Sequence, residues 1–464
     1  MVCIIGACNT HEKSPTILGI VMRNFILIYI ALRTFLAVFY GVNIVAGLNI
    51  LELVGFLFPI ILLLYWAMEG FRTVRNKYEK IYVFIITWVL LVTLLKMLSY
   101  GFGGIESLSG FFRVLNGFAV FVVFPLIFKD QKSINGLLNA FFITTLFPLL
   151  QGLIQLLLGA DIGGMRTSII AGHGMELSYY GLYHKTGVYA WAAICGALII
   201  VYKMPLANKI NKKRVCFWGL FFLLYLILAS LTLSRTIIAS MLVVSITMVI
   251  AITGEKAWLQ KIITILIMFL LAFVVSESEF AKDRYEQIMK RTEAEFQVVS
   301  GERDFEGALH GRVGLWKNKL EQFNEKPLID RLIGTNINIG PHSDYVIWVL
   351  QYGYIGIILY IMLFFGLLLS SIRTLSRINR IGNSYLWPYG LMVIAGLVIW
   401  LMEAIIHNSS KMPDYSYFII GNTAIFLSMG KCCNGYPKRQ KDYNLYGSYA
   451  STLYGAEYCN SNNP

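Results

Sequence analysis

Charged side chains are scarce in this sequence, and their scarcity excludes a soluble globular protein. Only 14% of the 464 residues are Asp, Glu, Lys or Arg, whereas 57% are hydrophobic. A soluble domain carries about 25% charged residues. Because apolar segments recur along nearly the whole chain, we predict a single membrane domain over residues 1–430, followed by a flexible cytosolic tail over 431–464.

Sequence signals for common catalytic centres are also missing. His173, His184, His310 and His342 show no metal-ligand spacing, so we predict no metal and no other cofactor. A Gly-rich phosphate loop, a Ser nucleophile elbow and an Asp-x-Asp pair are absent, and no paired-carboxylate glycosidase site is evident.

Long apolar runs, in contrast, are abundant. A membrane-spanning helix needs about 20 mostly apolar residues. Twelve segments meet this requirement and predict an all-α polytopic fold. They cover roughly 20–43, 46–68, 81–99, 111–128, 136–158, 185–202, 215–233, 236–253, 262–278, 343–370, 386–406 and 414–430.

The net charge of +13 is concentrated in short links. If the spans alternate in direction, the basic links all fall on one side of the membrane, and they cover 71–80, 203–214, 371–380 and 431–441. The positive-inside rule then places both termini in the cytosol. No basic stripe with interleaved aromatic residues is present, so nucleic acid is not a predicted partner.

Two long segments are predicted on the opposite, outer side, over 159–184 and 279–342. The second holds ten of the 39 basic and eleven of the 26 acidic residues, and loops of this length are usually functional. Within it, Trp316, Leu320 and Phe323 form an apolar stripe that predicts a helix over 311–323, which Pro327 ends.

Four candidate residues converge on this outer side by topology: Arg166, Arg235, Arg312 and His342. Arg235 is the sharpest candidate because it occupies a tight turn between two apolar helices. An Arg guanidinium stays charged and can meet two phosphate oxygens at once. The alternatives are a snorkelling or capping role for Arg235, and simple packing of the loop helix by Arg312 and Trp316.

His342 stands directly before the apolar run that begins at 343. Its neutral imidazole could accept a proton from a hydroxyl, although a structural hydrogen-bonding role is the alternative. Asp344 is too close in sequence to share a helix face with His342, and we interpret it as a charge that complements the helix N-terminus. Cations that suit a lipid-linked phosphate, with a nearby His, together favour transfer of a group from a lipid diphosphate to an alcohol.

A family resemblance appears over residues 165–360. The motif positions are Gly311, Arg312, Trp316, Pro327, Leu328, Gly334, His342, Tyr345, Gly353 and Gly356. This pattern resembles the core of the O-antigen ligase and Wzy-type polysaccharide polymerase superfamily. "LSRT" at 233–236 is similar to that family's Ser-Arg element, and "MRTSIIAGHG" at 165–174 is similar to its Arg-containing loop. The chain departs from the family at Asn336, where the second glycine of a Gly-x-Gly is often found, and at Ser343, where family members often have an Asn.

The resemblance implies a membrane-embedded, GT-C-like glycosyltransferase that is inverting and metal-independent. By analogy, Arg235 and Arg312 would bind the diphosphate of an undecaprenyl-linked glycan donor, and His342 would activate the acceptor hydroxyl. Arg166, Trp316 and Tyr345 would contact substrate. The partners of such an enzyme would be the lipid-linked donor, a glycan acceptor, the bilayer and a regulator of chain length.

Three readings of the function stay open. The first is a polymerase that joins repeat units of an O-antigen, capsule or exopolysaccharide in the bacterial cytoplasmic membrane. The second is a ligase that moves finished polymer onto lipopolysaccharide core. The third is a transporter or lipid-glycan flippase, which would need polar groups near the bilayer midplane, where Arg33 and Lys96 are the main charges predicted.

Overall fold

The structure is a computed structural model in which most of the apolar segments can be followed. It describes residues 16–37, 43–45, 48–71, 77–100, 105–158, 165–170, 174–179, 186–208, 212–231, 235–252, 261, 297, 308–335, 343–381, 385–406 and 416–433. The predicted cytosolic tail beyond Cys433 lies outside the described residues.

The described residues form a bundle of α-helices. The helices are α1 (Ile17–Ala37), α2 (Ile50–Met68), α3 (Lys77–Tyr100), α4 (Ile105–Ile127), α5 (Gln131–Leu158), α6 (Thr186–Asn208), α7 (Lys212–Leu231), α8 (Arg235–Ala251), α9 (Ala308–Asn324), α10 (Leu328–Ile333), α11 (Asp344–Ile381), α12 (Leu386–Ile406) and α13 (Gly421–Cys433). A short π-helix, Ser416–Ile420, leads into α13.

Length and composition identify this bundle as that of a membrane protein. Among the described residues, seven helices are long and apolar enough to cross a bilayer, and α2 and α8 contain shorter apolar stretches. Of these seven, α6 and α12 are the most enclosed by other helices. Their apolar residues belong to one continuous core that also includes residues of α4 and α13.

Eleven of the twelve predicted spans coincide with helices, so the helical class of the fold is confirmed. The ninth predicted span, 262–278, lies outside the described residues. Boundaries differ in places: α1 begins at Ile17 and is described as far as Ala37, with 38–42 of its predicted span outside the described residues, and α4 begins at Ile105, inside a predicted link. The loop helix predicted over 311–323 is confirmed as α9, and Pro327 separates it from α10 by serving as the N-cap of that shorter helix.

Two short antiparallel hairpins, which the all-α prediction did not include, connect helices. Strands β1 (Asn43–Val45) and β2 (Leu48–Asn49) lie between α1 and α2. Strands β3 (Met165–Ile170) and β4 (Gly174–Tyr179) lie in the first predicted outer loop. Both hairpins are in connections, so the bundle itself stays helical.

Side-chain contacts show that neighbouring helices run in opposite directions. Near the end of α3, Lys96 contacts Gln351 at the start of α11, whereas Tyr78 at the start of α3 shares a hydrogen bond with Ser370. We call the end of the bundle that carries Lys96 and Gln351 the loop end. The contact between Tyr202, near the end of α6, and Tyr385, before α12, lies at the opposite end.

The prediction that 343–370 is one continuous helix is wrong. Gly353 in α11 has φ 71° and ψ −174°, which breaks the helix into a first segment, 344–352, and a long second segment. The rings of Tyr345 and Tyr360 are 6.0 Å apart, although a straight helix would separate these positions by about 22 Å along its axis. The first segment is therefore folded sharply against the bundle.

Backbone contact with the outer loop enforces the break. A Cβ atom on Gly353 would collide with the Leu332 carbonyl oxygen of α10, and a Cβ on Gly334 would collide with the Gln351 carbonyl oxygen. Gly334 also has a positive φ of 91°. Only glycine fits such paired close approaches, which explains two of the glycines in the family-like motif.

We expect Gly353→Ala to destabilise the protein strongly. The conformation at Gly353 is strained by about 1–3 kcal/mol for other residues, and the collision with Leu332 adds to that. The test is the temperature at which half of the detergent-solubilised protein aggregates. Gly219→Ala in α7 is the matched control, because a Cβ at Gly219 meets nothing within 4 Å. An unchanged temperature for Gly353→Ala would contradict the described break.

Candidate functional site

The structure places the backbones of the predicted arginines at the loop end. Arg235 is the first residue of α8, directly after α7 has returned from the opposite end of the bundle. Its helix packs against α6 and α12. Arg166 lies in β3, where it pairs with Ser178 across the hairpin that connects α5 and α6 at the same end.

Arg312 and Trp316 both lie on α9, which packs on the first segment of α11. Phe323 of α9 forms a small apolar cluster with Ile347 and Leu350. The indole N–H of Trp316 is buried and has no hydrogen-bond partner among the described residues. A buried indole usually donates a hydrogen bond, so the Trp316 donor is available to a ligand or to a residue outside the described part of the chain.

The first segment of α11 is tied to the loop end of α12. The Ser343 hydroxyl donates to the Ala404 carbonyl oxygen at 3.3 Å, and the Tyr345 hydroxyl donates to the Leu401 carbonyl oxygen at 3.2 Å. Asp344 is the first helical residue, as predicted, and is fully buried. His342 immediately precedes this anchored segment but lies outside the described residues.

Ser343, one departure from the family pattern, and Thr335, which follows Gly334, have structural roles. The other departure, Asn336, lies outside the described residues. Ser343 anchors α11 to α12 as described above. Thr335 donates to the Leu350 carbonyl oxygen from its backbone N–H at 2.7 Å and from its hydroxyl at 3.2 Å. Both residues thus position the segments on either side of His342.

The structure places Arg33 and Lys96, the main midplane charges of the transporter reading, near the ends of their helices. Arg33 lies four residues before the end of α1 and Lys96 four residues before the end of α3, so both lie at the loop end. Both side chains are nevertheless buried.

Arg33 belongs to a buried polar network. Its Nη1 donates to the Tyr29 hydroxyl at 2.5 Å, and its guanidinium carbon lies 5.1 Å from the centre of the Tyr417 ring. Tyr417 in turn donates to the Asn116 side chain at 3.1 Å. The π-helix supplies Tyr417, and such irregular turns are frequent at functional sites. Buried charge inside a membrane bundle needs such partners.

A small cavity lies beside the break in α11, on the side of the break that faces away from the loop end. Its volume is about 40 Å³, and its lining includes Arg113 with the aromatic residues Tyr82, Trp348, Tyr360 and Trp400. This space holds two or three water molecules, since one water needs about 10–15 Å³. Sites for small molecules usually occupy several hundred cubic ångströms. This cavity is therefore too small for a ligand of that size.

Sequence reasoning missed Arg113 and Trp88 as components of this end of the bundle. Arg113 is only one polar residue in an apolar run, and Trp88 has no motif to mark it. Within the described part of the chain, no group of three His, Cys, Asp or Glu side chains is arranged to hold a metal ion.

Comparisons with family models and with curated proteins identify no relative. The chain matches no family model, and it matches no curated protein in sequence. The functional argument therefore depends on the residues and their placement.

Proposed function

We propose that the protein is a glycosyltransferase that polymerises polysaccharide repeat units in the bacterial cytoplasmic membrane. The donor is a glycan on undecaprenyl diphosphate, and the acceptor is the sugar hydroxyl of another lipid-linked glycan. The loop end faces the extracytoplasmic side and both termini face the cytosol, in keeping with the charge of the links.

One observation supports this proposal above all others. The backbones of Arg235 and Arg312 and the anchored segment that follows His342 all lie at the same end of the bundle. Arg235 begins α8, α8 packs on α12, and α12 holds the first segment of α11. Cations and an imidazole at one membrane surface suit a lipid carrier whose diphosphate emerges there.

In the proposed reaction the acceptor oxygen attacks the anomeric carbon of the donor sugar. His342 takes the proton of the acceptor hydroxyl as the new carbon–oxygen bond forms. The bond between the anomeric carbon and the diphosphate oxygen breaks, and the released undecaprenyl diphosphate carries the electron pair. Arg235 and Arg312 stabilise the charge that develops on this leaving group. A single displacement of this kind inverts the anomeric configuration.

The broken helix argues against the transporter alternative. Transporters use the free carbonyl groups of broken helices to coordinate ions near the bilayer midplane. In this protein the carbonyl oxygens of Leu350, Gln351 and Tyr352 accept hydrogen bonds from Thr335, Lys96 and Trp88. The break also lies nearer to the loop end of the bundle than to its opposite end. The break is therefore better suited to holding the segment around Thr335 in place than to binding an ion.

The decisive experiment supplies purified protein in lipid nanodiscs with an undecaprenyl-diphosphate-linked repeat unit. We expect longer lipid-linked glycans and released undecaprenyl diphosphate. A parallel reaction with lipopolysaccharide core as the acceptor separates the polymerase from the ligase. Transport of the lipid-linked glycan across vesicles without any new glycosidic bond would contradict the proposal.

We expect the reaction to proceed without divalent metal. The two proposed Arg residues supply the positive charge that a metal ion supplies in other phosphate-binding enzymes. Preincubation with excess EDTA should leave the initial rate of polymer formation unchanged, as measured by gel separation of labelled glycan. Loss of activity that returns on addition of Mg²⁺ or Mn²⁺ would contradict this prediction.

A further inference from the structure

The break in α11 leaves backbone carbonyl groups without partners inside the helix. A helix end releases the carbonyl groups of its last turn, and inside a membrane each of them must find another donor. Three separate donors meet this need. Thr335 of the outer loop donates to the Leu350 carbonyl oxygen. Lys96 of α3 donates to the Gln351 carbonyl oxygen at 2.5 Å, and Trp88 of α3 donates to the Tyr352 carbonyl oxygen at 2.9 Å.

Lys96 is the unusual member of this set. Only 5% of its surface is exposed, yet it carries an ammonium group, which lies 5.8 Å from the centre of the Tyr352 ring. A neutral donor can perform the same task, as Trp88 does at the next carbonyl. A charged donor forms a shorter and stronger hydrogen bond and so fixes its acceptor more firmly.

The anchored carbonyl group is mechanically linked to the proposed site. Gln351 belongs to the first segment of α11, which starts two residues after His342. Its backbone oxygen also faces Gly334, directly after α10. A movement of Gln351 would therefore displace both the segment next to His342 and the loop that carries α9.

We propose that Lys96 is a positioning residue, which holds the broken helix and the outer loop in register so that His342 and the α9 residues face the same substrate. This inference rests on the proposed glycan transfer for its catalytic consequence. The structural claim, that hydrogen bonds from α3 hold the break in place, depends only on the described contacts.

The test compares Lys96→Met, which removes the donor, with Lys96→Arg, which keeps a charged donor. Lys80→Met is the matched control, because Lys80 lies on the same helix and is exposed at its other end. The first readout is hydrogen exchange of peptides that cover 328–335 and 343–356, in nanodiscs. We expect faster exchange in Lys96→Met only, because local opening of the break exposes these amides.

The second readout is the kinetics of glycan transfer. A misplacement of about 1 Å can reduce a rate about 100-fold, so we expect kcat of Lys96→Met to fall by up to that factor while KM for the donor stays the same. Lys96→Arg should recover most of the lost kcat. A large increase in donor KM would overturn the proposal, because it would make Lys96 a substrate-binding residue.

Two further outcomes are decisive. Normal exchange and normal kcat in Lys96→Met would overturn the positioning role. If the wild-type protein transfers no glycan, the proposed function fails, but the exchange experiment still decides whether Lys96 holds the break. If Lys96→Met fails to accumulate in membranes, Lys96→Gln takes its place in the experiment, because glutamine keeps a neutral donor. The expected increase in hydrogen exchange and decrease in kcat are then smaller.

Discussion

His342→Ala is expected to abolish nearly all polymer formation while the protein still binds its lipid-linked donor. A positioned general base contributes about 10²- to 10⁴-fold to a rate, and kcat should fall by that factor. Alanine removes the proton acceptor but leaves the backbone that precedes the anchored Ser343. The measurement is the rate of glycan transfer under saturating donor, with donor binding measured separately.

The proton-accepting role of His342 also predicts a pH dependence. Protonation removes the base, so kcat should fall as the pH drops through the range where imidazole becomes charged, about 6.5 for an unperturbed histidine. His11→Ala is the matched control, since it makes the same substitution in the N-terminal segment before α1. A His342→Ala variant that polymerises normally would refute the proposed mechanism.

Arg235→Ala and Arg312→Ala are expected to produce the second largest loss. Removing one group that stabilises developing negative charge costs about 10²- to 10³-fold in rate. Because both residues are proposed to bind the diphosphate, donor affinity should weaken as well, in contrast to His342→Ala. The measurement is kcat and donor KM for each variant, after membrane insertion has been verified.

Conservative substitutions test the geometry of these two sites. Arg235→Lys and Arg312→Lys should recover only part of the activity, because a Lys ammonium cannot hold two phosphate oxygens as a planar guanidinium does. Arg373→Ala is the control, since Arg373 is exposed in α11 near the opposite end of the bundle. Full recovery by Lys would instead favour a general electrostatic role.

The sequence predicted the helices well because hydrophobic burial in a bilayer leaves a simple signal. A run of about 20 apolar residues is needed to cross, and polar links interrupt such runs. The same logic found α9, whose apolar stripe at Leu320 and Phe323 does pack against another helix. The spacing of apolar residues therefore predicted both the membrane-spanning helices and the loop helix.

The break at Gly353 could not be predicted from the pattern of apolar residues. The run from 343 to 370 is apolar throughout, and glycine occurs in many unbroken membrane helices. What breaks this helix is a contact with the backbone of α10, the helix that precedes α11 in the chain, and apolar spacing does not show that the two backbones meet. The motif glycines Gly334 and Gly353 were the only sign, and their meaning needed the partner segment.

The sequence predicted on which side the candidate residues would fall, but it did not predict the contacts that support the neighbouring backbone. Charge and topology brought Arg235, Arg312 and Arg166 to one side of the chain, and their backbones lie at the loop end. The supporting contacts of Lys96 and Trp88 with the broken helix were not predicted, because each acts on a backbone carbonyl group. A carbonyl group is present at every residue and gives no sequence signal.

Two sets of hydrogen bonds hold the first segment of α11, and they imply an order of biogenesis. Lys96 and Trp88 emerge from the ribosome long before α11, and Thr335 lies only 15 residues before its acceptor Leu350. These contacts can form as soon as α11 enters the membrane. The bonds from Ser343 and Tyr345 to α12, however, must wait until that later helix has been synthesised. Truncated nascent chains that end before α12 should therefore insert but lack the two hydrogen bonds that hold the first segment of α11 against α12.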